Sequence, residues 1–165
     1  MKRQPESARA GPTAGDGKKP ITGNRRARYE YEILETVEAG LVLTGTEIKS
    51  IRAGQVQIQD AYARVENGEV WLYQMHIAPY EQGNRFNVEP RRPRKLLLHR
   101  SQIERLLGKA QERGLTLVPL SLYLRRGFAK VELAVARGRK LYDRRQAIAE
   151  QEARREAERA LRGRK

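Results

Sequence analysis

The segment Gly138-Arg139-Lys140-Leu141-Tyr142-Asp143-Arg144-Arg145 sets one carboxylate among four basic side chains, next to a tyrosine. A peptide of this make-up can clamp phosphates, stack a ring on an unpaired base and accept a hydrogen bond from a base or ribose donor. A second cationic group, Arg91, Arg92, Arg94 and Lys95, stands in a stretch broken by Pro79, Pro90 and Pro93. It could neutralise several phosphates, with arginine offering a two-pronged fork. Tyr80, Phe86 and Tyr142 are aromatics in polar settings, the type on which unpaired bases stack. Any one of these charges alone reads as a solvated surface, and any one tyrosine as the edge of a core. Their combination points to RNA.

Catalysis has much less support. His76 and His99 lie in or beside apolar, strand-like segments, with no carboxylate or cysteine at metal-ligand spacing, and read as structural histidines. Glu47 and Asp60 are candidate acids, but nothing in the sequence pairs them. No phosphate-cradling GxxxxGK[ST], dinucleotide GxGxxG, HExxH or GxSxG occurs. The expectation is a binding protein without catalytic residues, metal or cofactor.

Charge is carried by the two ends. The 165-residue chain is +14, yet residues 29–136 hold 15 basic and 13 acidic groups, while residues 1–28 and 137–165 contribute +6 each. A nearly neutral body with cationic arms suits the gripping of a polyanion. No apolar run approaches the ~20 residues that cross a bilayer, no basic helix carries bulky apolar groups on its other face, and Lys2-Arg3 lead into no signal-like stretch. The absence of cysteine excludes disulfides and thiolate chemistry. The expectation is a soluble cytoplasmic protein, monomeric when free, with no membrane partner.

The elements that must position these groups follow from periodicity. Residues 1–23 are poor in large apolar groups and are expected to be disordered. Tyr29, Tyr31 and Ile33 alternate as in a strand, Ala39-Gly40 is expected to turn the chain, and Leu41-Val42-Leu43 to form a second strand. Thr44 and Glu47 have capping-box spacing for a helix over about 45–53 that displays Lys49 and Arg52. Asn67-Gly68 marks a hairpin within 56–75, and 78–95 reads as a long irregular loop. Ser101 and Glu104 have capping-box spacing for the next helix, which carries Ile103, Leu106, Leu107 and Ala110. A second hairpin, in which Leu115, Leu117 and Pro119 lead into Leu120, Leu122 and Leu124 as alternating apolar positions, turns at Arg125-Arg126-Gly127. Residues 144–162 are rich in helix formers but lack a wide apolar stripe, so this tail is expected to be helical only when a partner supplies contacts. The result is a mainly β fold with helices, an OB-like six-stranded antiparallel barrel over 24–137 between flexible basic extensions at 1–23 and 138–165. An open α+β sheet packed on the helix is the alternative.

Several strings together closely resemble the SmpB family, the SsrA-binding proteins of bacteria. They are Asn24-Arg25-Arg26-Ala27-Arg28, Glu38-Ala39-Gly40, the run from Gly45 to Gly54, His76-Ile77-Ala78-Pro79-Tyr80, Arg94-Lys95-Leu96-Leu97-Leu98-His99, and Gly138 to Arg145. The match is collinear from about Asn24 to about Glu150. The resemblance implies an OB-like barrel that binds the tRNA-like domain of transfer-messenger RNA (SsrA), and a tail that enters the decoding site of a stalled ribosome. By position it makes Tyr31, Glu38, Leu97 and His99 RNA-facing, with Lys49 and Arg52 added on electrostatic grounds. In the tail it picks out Gly138, Arg139, Lys140, Tyr142, Asp143, Arg144 and Arg145. Two other readings stay open at this point, a general OB-type translation or ribosome-assembly factor and an RNA-processing enzyme.

Overall fold

The computed structural model describes residues 17–139 and 141–163, without side-chain placement at 83–85, 141–144 and 146. Its elements run β1 (Lys18–Gly23), α1 (Arg25–Glu30), β2 (Tyr31–Leu41), α2 (Gly45–Arg52), β3 (Val56–Gln57), β4 (Tyr62–Glu66), β5 (Glu69–Tyr73), β6 (His76–Ile77), β7 (Arg94–Leu97), α3 (Arg100–Ala110), β8 (Leu115–Arg125), β9 (Phe128–Gly138) and α4 (Leu141–Gly163). A 3₁₀ turn over Glu81–Phe86 interrupts the loop before β7.

Two dipeptides set the hairpins. Asn67-Gly68 has φ of 50° and 76°, and Arg126-Gly127 has 54° and 86°, positive at both central residues as a type I′ turn requires. They join β4 to β5 and β8 to β9. Antiparallel pairing then runs β8-β4-β5-β7-β2-β9 and closes through β9 onto β8, while β1 adds to β8 from outside the ring. The expected six-stranded antiparallel barrel is present. Its interior is filled by Ile51, Ile58, Val70, Leu72, Met75, Leu96, Leu117, Leu122, Val131, Leu133 and Val135.

Four local expectations are corrected. Ala39-Gly40 does not turn: β2 continues through both, with Gly40 opposite Leu97 on one side and Lys130 on the other. A Cβ on Gly40 would lie 3.4 Å from Leu97 Cβ, so the glycine serves close strand approach. Residues around Tyr29 form α1 rather than a strand, because Asn24 caps that helix, its Oδ1 accepting from Ala27 N at 3.1 Å. The Asn24 amide also donates to Pro119 O at 3.0 Å and Ile58 O at 3.4 Å, which ties the helix to the barrel wall. Helix α3 is capped two residues earlier than Ser101/Glu104, with His99 N donating to Gln102 Oε1 at 2.9 Å. Finally, Leu120 does not join the interior. The β8–β9 register shifts between Pro119 and Ser121, so Val118 and Leu120 face outward and pack with Ala27 of α1, Ala134 and Ala136. Proline, which has no N–H to give to the ladder, is at home at such an irregularity.

The N-terminal end differs from expectation as well. The N-terminal extension was expected to lie free through residue 23, but Lys18–Gly23 is a strand paired with Ser121–Arg125. The backbone groups of β8 beyond its short contact with β4 at Leu117 would otherwise lack partners on that side. Residues 1–16, the remainder of that expectation, lie outside the described residues. The tail is helical over Leu141–Gly163. It rests on α1, with Arg155 Nη2 donating to Tyr29 Oη at 3.3 Å and Ala147 buried.

Candidate nucleic-acid interface

Three of the six candidate RNA contacts on the body meet in one place. A concavity of about 410 Å³ is lined by Glu38 and Gly40 of β2, Leu97 at the end of β7, Leu98, His99 at the cap of α3, Gln102, and Lys130 of β9. The place of β2 between β7 and β9 in the sheet brings them together, since it pairs with both at this level. Leu97 is half exposed at 52%, unlike the rest of β7's apolar positions. The site thus offers an apolar edge, a cation, an imidazole and a carboxylate within one shallow surface, a mixture suited to sugar, base and phosphate together.

Glu38 is held from one side. Tyr123 donates its hydroxyl to Glu38 Oε2, and Arg125 Nη2 stands 3.4 Å from the same oxygen. Burial pushes the Tyr123 phenol up, and the bond to Glu38 pushes it further the same way. Sequence reasoning missed Tyr123, Arg125, Lys130 and Gln102. A usable signal existed for the first two: with Leu122 and Leu124 facing inward, Tyr123 and Arg125 alternate outward.

The other three body candidates lie elsewhere. Tyr31, at the opposite end of β2, pairs with Gly138 and packs against the Ala27–Leu120 cluster. It lines a separate cleft of about 310 Å³ with Asn24, Arg26, Glu30 and Asp60 among others. Lys49 and Arg52 are exposed on α2, and the Lys49 ammonium lies 5.5 Å from the Tyr80 ring centroid. Phe86 is 68% exposed, and His76 is half-buried on β6.

The Arg91–Lys95 group is corrected most sharply. Arg94 is fully buried and Glu47 nearly so. Arg94 donates to Glu47 Oε2 through Nε at 2.9 Å and Nη2 at 2.7 Å, and to the carbonyls of Met75 at 2.6 Å and Pro90 at 2.9 Å. Arg92 holds the same carboxylate through Nε at 3.0 Å and Nη2 at 2.7 Å, and Lys95 pairs with Glu69 at 3.0 Å. Arg94 falls opposite Leu72 on the inward-facing side of β7, where an unpaired cation would be costly. Burial pushes the Glu47 carboxyl up, but Arg92, the Thr44 N–H and Arg94 outweigh it and hold it below the usual range. Burial likewise lowers Arg94, against the pull of Glu47. The pairing of Glu47 that the sequence did not reveal is therefore structural, and this cluster is no phosphate clamp; Arg91 alone of the four is exposed, its guanidinium donating to Gln74 O at 3.2 Å and its backbone N–H to Glu89 Oε1 at 2.8 Å.

The tail motif begins where β9 ends. Gly138 closes the ladder against Tyr31, and Arg139 N donates to Glu30 O at 2.9 Å. Lys140 and the side chains of Tyr142, Asp143 and Arg144 lie outside the described residues, while Arg145 is exposed on α4.

The sequence profile described as "SmpB protein" matches residues 21–163. The chain belongs to the SmpB family. An SsrA-binding protein of Desulfitobacterium hafniense (strain DSM 10664 / DCB-2) is 62% identical over 149 residues, covering 90% of this chain and 96% of that protein. The SsrA-binding protein of Moorella thermoacetica is 63% identical over 147 residues, covering 88% and 95%. Among solved structures, a chain from "tmRNA-SmpB: a journey to the center of the bacterial ribosome" is 54% identical, with a TM-score of 0.65 over 78% of this chain and 94% of that one. The SmpB match spans both the concavity and α4.

Proposed function

We propose that this protein binds transfer-messenger RNA (SsrA), carries it to stalled ribosomes, and there places its C-terminal segment in the decoding centre, so that incomplete chains are tagged and the ribosome released. The concavity of Glu38, Leu97 and His99, assembled where β2, β7 and the start of α3 meet, carries the reading for the body. Relatives named for SsrA binding, matched over nearly their whole length, support it. An RNA helix hides its base edges in a deep groove, so a compact body docks a folded RNA by shape and by a few contacts of mixed chemistry. Tyr31, Lys49 and Arg52 serve this reading as outlying contacts around that centre, not as part of it.

The tail supports the second half. The motif starts at Gly138, where β9 ends, and its backbone from Leu141 on belongs to α4, while its cationic, aromatic and carboxylate residue types suit a second RNA. No described helix is long and apolar enough to cross a membrane. In a reconstituted rescue assay, Asp143→Ala combined with Arg144→Ala should leave the gel-shift affinity for SsrA RNA nearly unchanged while abolishing tagging of stalled chains. Equal loss of both activities would refute the division of labour. Equal affinity for SsrA RNA, ordinary tRNA and ribosomal RNA fragments would favour a general translation factor instead.

A further inference from the structure

Tyr123 is 4% exposed although its place on β8, between inward Leu122 and Leu124, faces it away from the core. Its cover comes from β1 and from its own strand. Lys18 Nζ lies 4.3 Å from the ring centroid and the Arg125 guanidinium 5.7 Å, while Pro20 stands opposite Tyr123 in the ladder. Beneath that cover the phenol donates a hydrogen bond to Glu38 Oε2. The same oxygen faces Arg125, whereas Oε1 of Glu38 has no partner among the described residues. We propose that Tyr123, roofed by Lys18 of β1, is a positioning residue that fixes the Glu38 carboxylate as a hydrogen-bond acceptor for RNA, so that β1 completes the binding site from the extension side.

The chemistry follows from what each group can give. A free glutamate on a strand surface samples several rotamers and must be ordered on binding. Here one oxygen is occupied before RNA arrives, which fixes the carboxylate plane and leaves the other oxygen to accept from a donor on the RNA. The raised phenol pKa keeps Tyr123 a donor throughout the physiological range. A carboxylate in a cationic protein repels phosphate, so its value lies in reading a donor group at one defined point.

The inference rests on Glu38 being an RNA contact, and the experiment separates the two claims. Binding of SsrA RNA is measured for the full chain, Glu38→Ala, Tyr123→Phe and the double variant, with thermal unfolding as a check on the fold. Each single change is expected to weaken binding about five- to ten-fold, and the double variant to bind no worse than Glu38→Ala. The dependence of affinity on salt should keep its slope in Tyr123→Phe, because no phosphate contact is lost. Wild-type binding by Glu38→Ala would end the reading of Glu38 as a contact. Weakened binding by Glu38→Ala with none by Tyr123→Phe, or losses that multiply in the double variant, would overturn the positioning role alone. Lys18→Ala, a surface change that leaves the ring in place, tests the roof. Its loss of affinity should vanish in the Tyr123→Phe background, and persistence there would show that Lys18 acts separately.

Discussion

Glu38 and Glu47 lie on neighbouring elements and both are bonded by arginine, yet they serve different ends in the protein. Glu47 is nearly buried, and its oxygens are taken by two guanidinium groups and the Thr44 N–H. Glu38 has one oxygen held by neighbours and lines an open concavity. The difference teaches that a carboxylate's partners matter less than how many of its acceptor sites they fill. A saturated carboxylate fastens β7 to α2; a half-used one is left able to meet a ligand.

The largest effect is expected at Glu47. Glu47→Ala leaves Arg94 charged and buried without its counter-ion, and should lower unfolding free energy by about 3–5 kcal/mol in urea titrations. The pH dependence has a defined sign. The Glu47 carboxyl titrates in the folded protein below its ordinary 4.5, so its stabilisation is complete above that value and is lost as pH falls through the lower folded-state pKa. Glu47→Gln should show a shallower acid loss than the native chain; parallel curves would contradict the assignment.

Glu38→Gln sits on the other side. Melting should hardly change, because the site is open to solvent and screened, while affinity for SsrA RNA falls about ten-fold, close to 1.4 kcal/mol. A variant that melts early but binds normally would reverse the roles given to the two glutamates. The smallest effect is expected from Gly40→Ala. The new methyl, 3.4 Å from Leu97 Cβ, should push that side chain by a few tenths of an ångström and weaken RNA binding about two- to three-fold, with melting little changed.

Hairpins were legible because Asn67-Gly68 and Arg126-Gly127 carry their own geometry, and the barrel followed from the spacing of the strands between them. Helix α1 was not, since the Asn24 amide finds its acceptor on Pro119, 95 residues away. Periodicity gave the wrong side for Leu120 because the irregularity at Pro119 shifts the phase within one strand. The buried Arg94 was unreadable for the same reason of distance, its carboxylate lying 47 residues earlier. Within the site, Glu38, Leu97 and His99 came from the resemblance and not from spacing, and no local pattern announces that β2, β7 and the start of α3 converge. Tyr31, also matched by position, packs at the opposite end of the same strand. For Tyr123 the alternation with Leu122 and Leu124 was in plain view.

Strand β1 also bears on how these molecules behave in a crowd. A closed ring has no free rim, so adding β1 to the outside of β8 hands the large sheet a terminal strand whose outer backbone groups could template a neighbour. Lys18, Lys19 and Pro20 occupy that strand. Two like charges repel an identical copy, and a proline withholds one of the N–H groups a docking strand would use. The same six residues that cover Tyr123 thereby discourage edge-to-edge polymerisation.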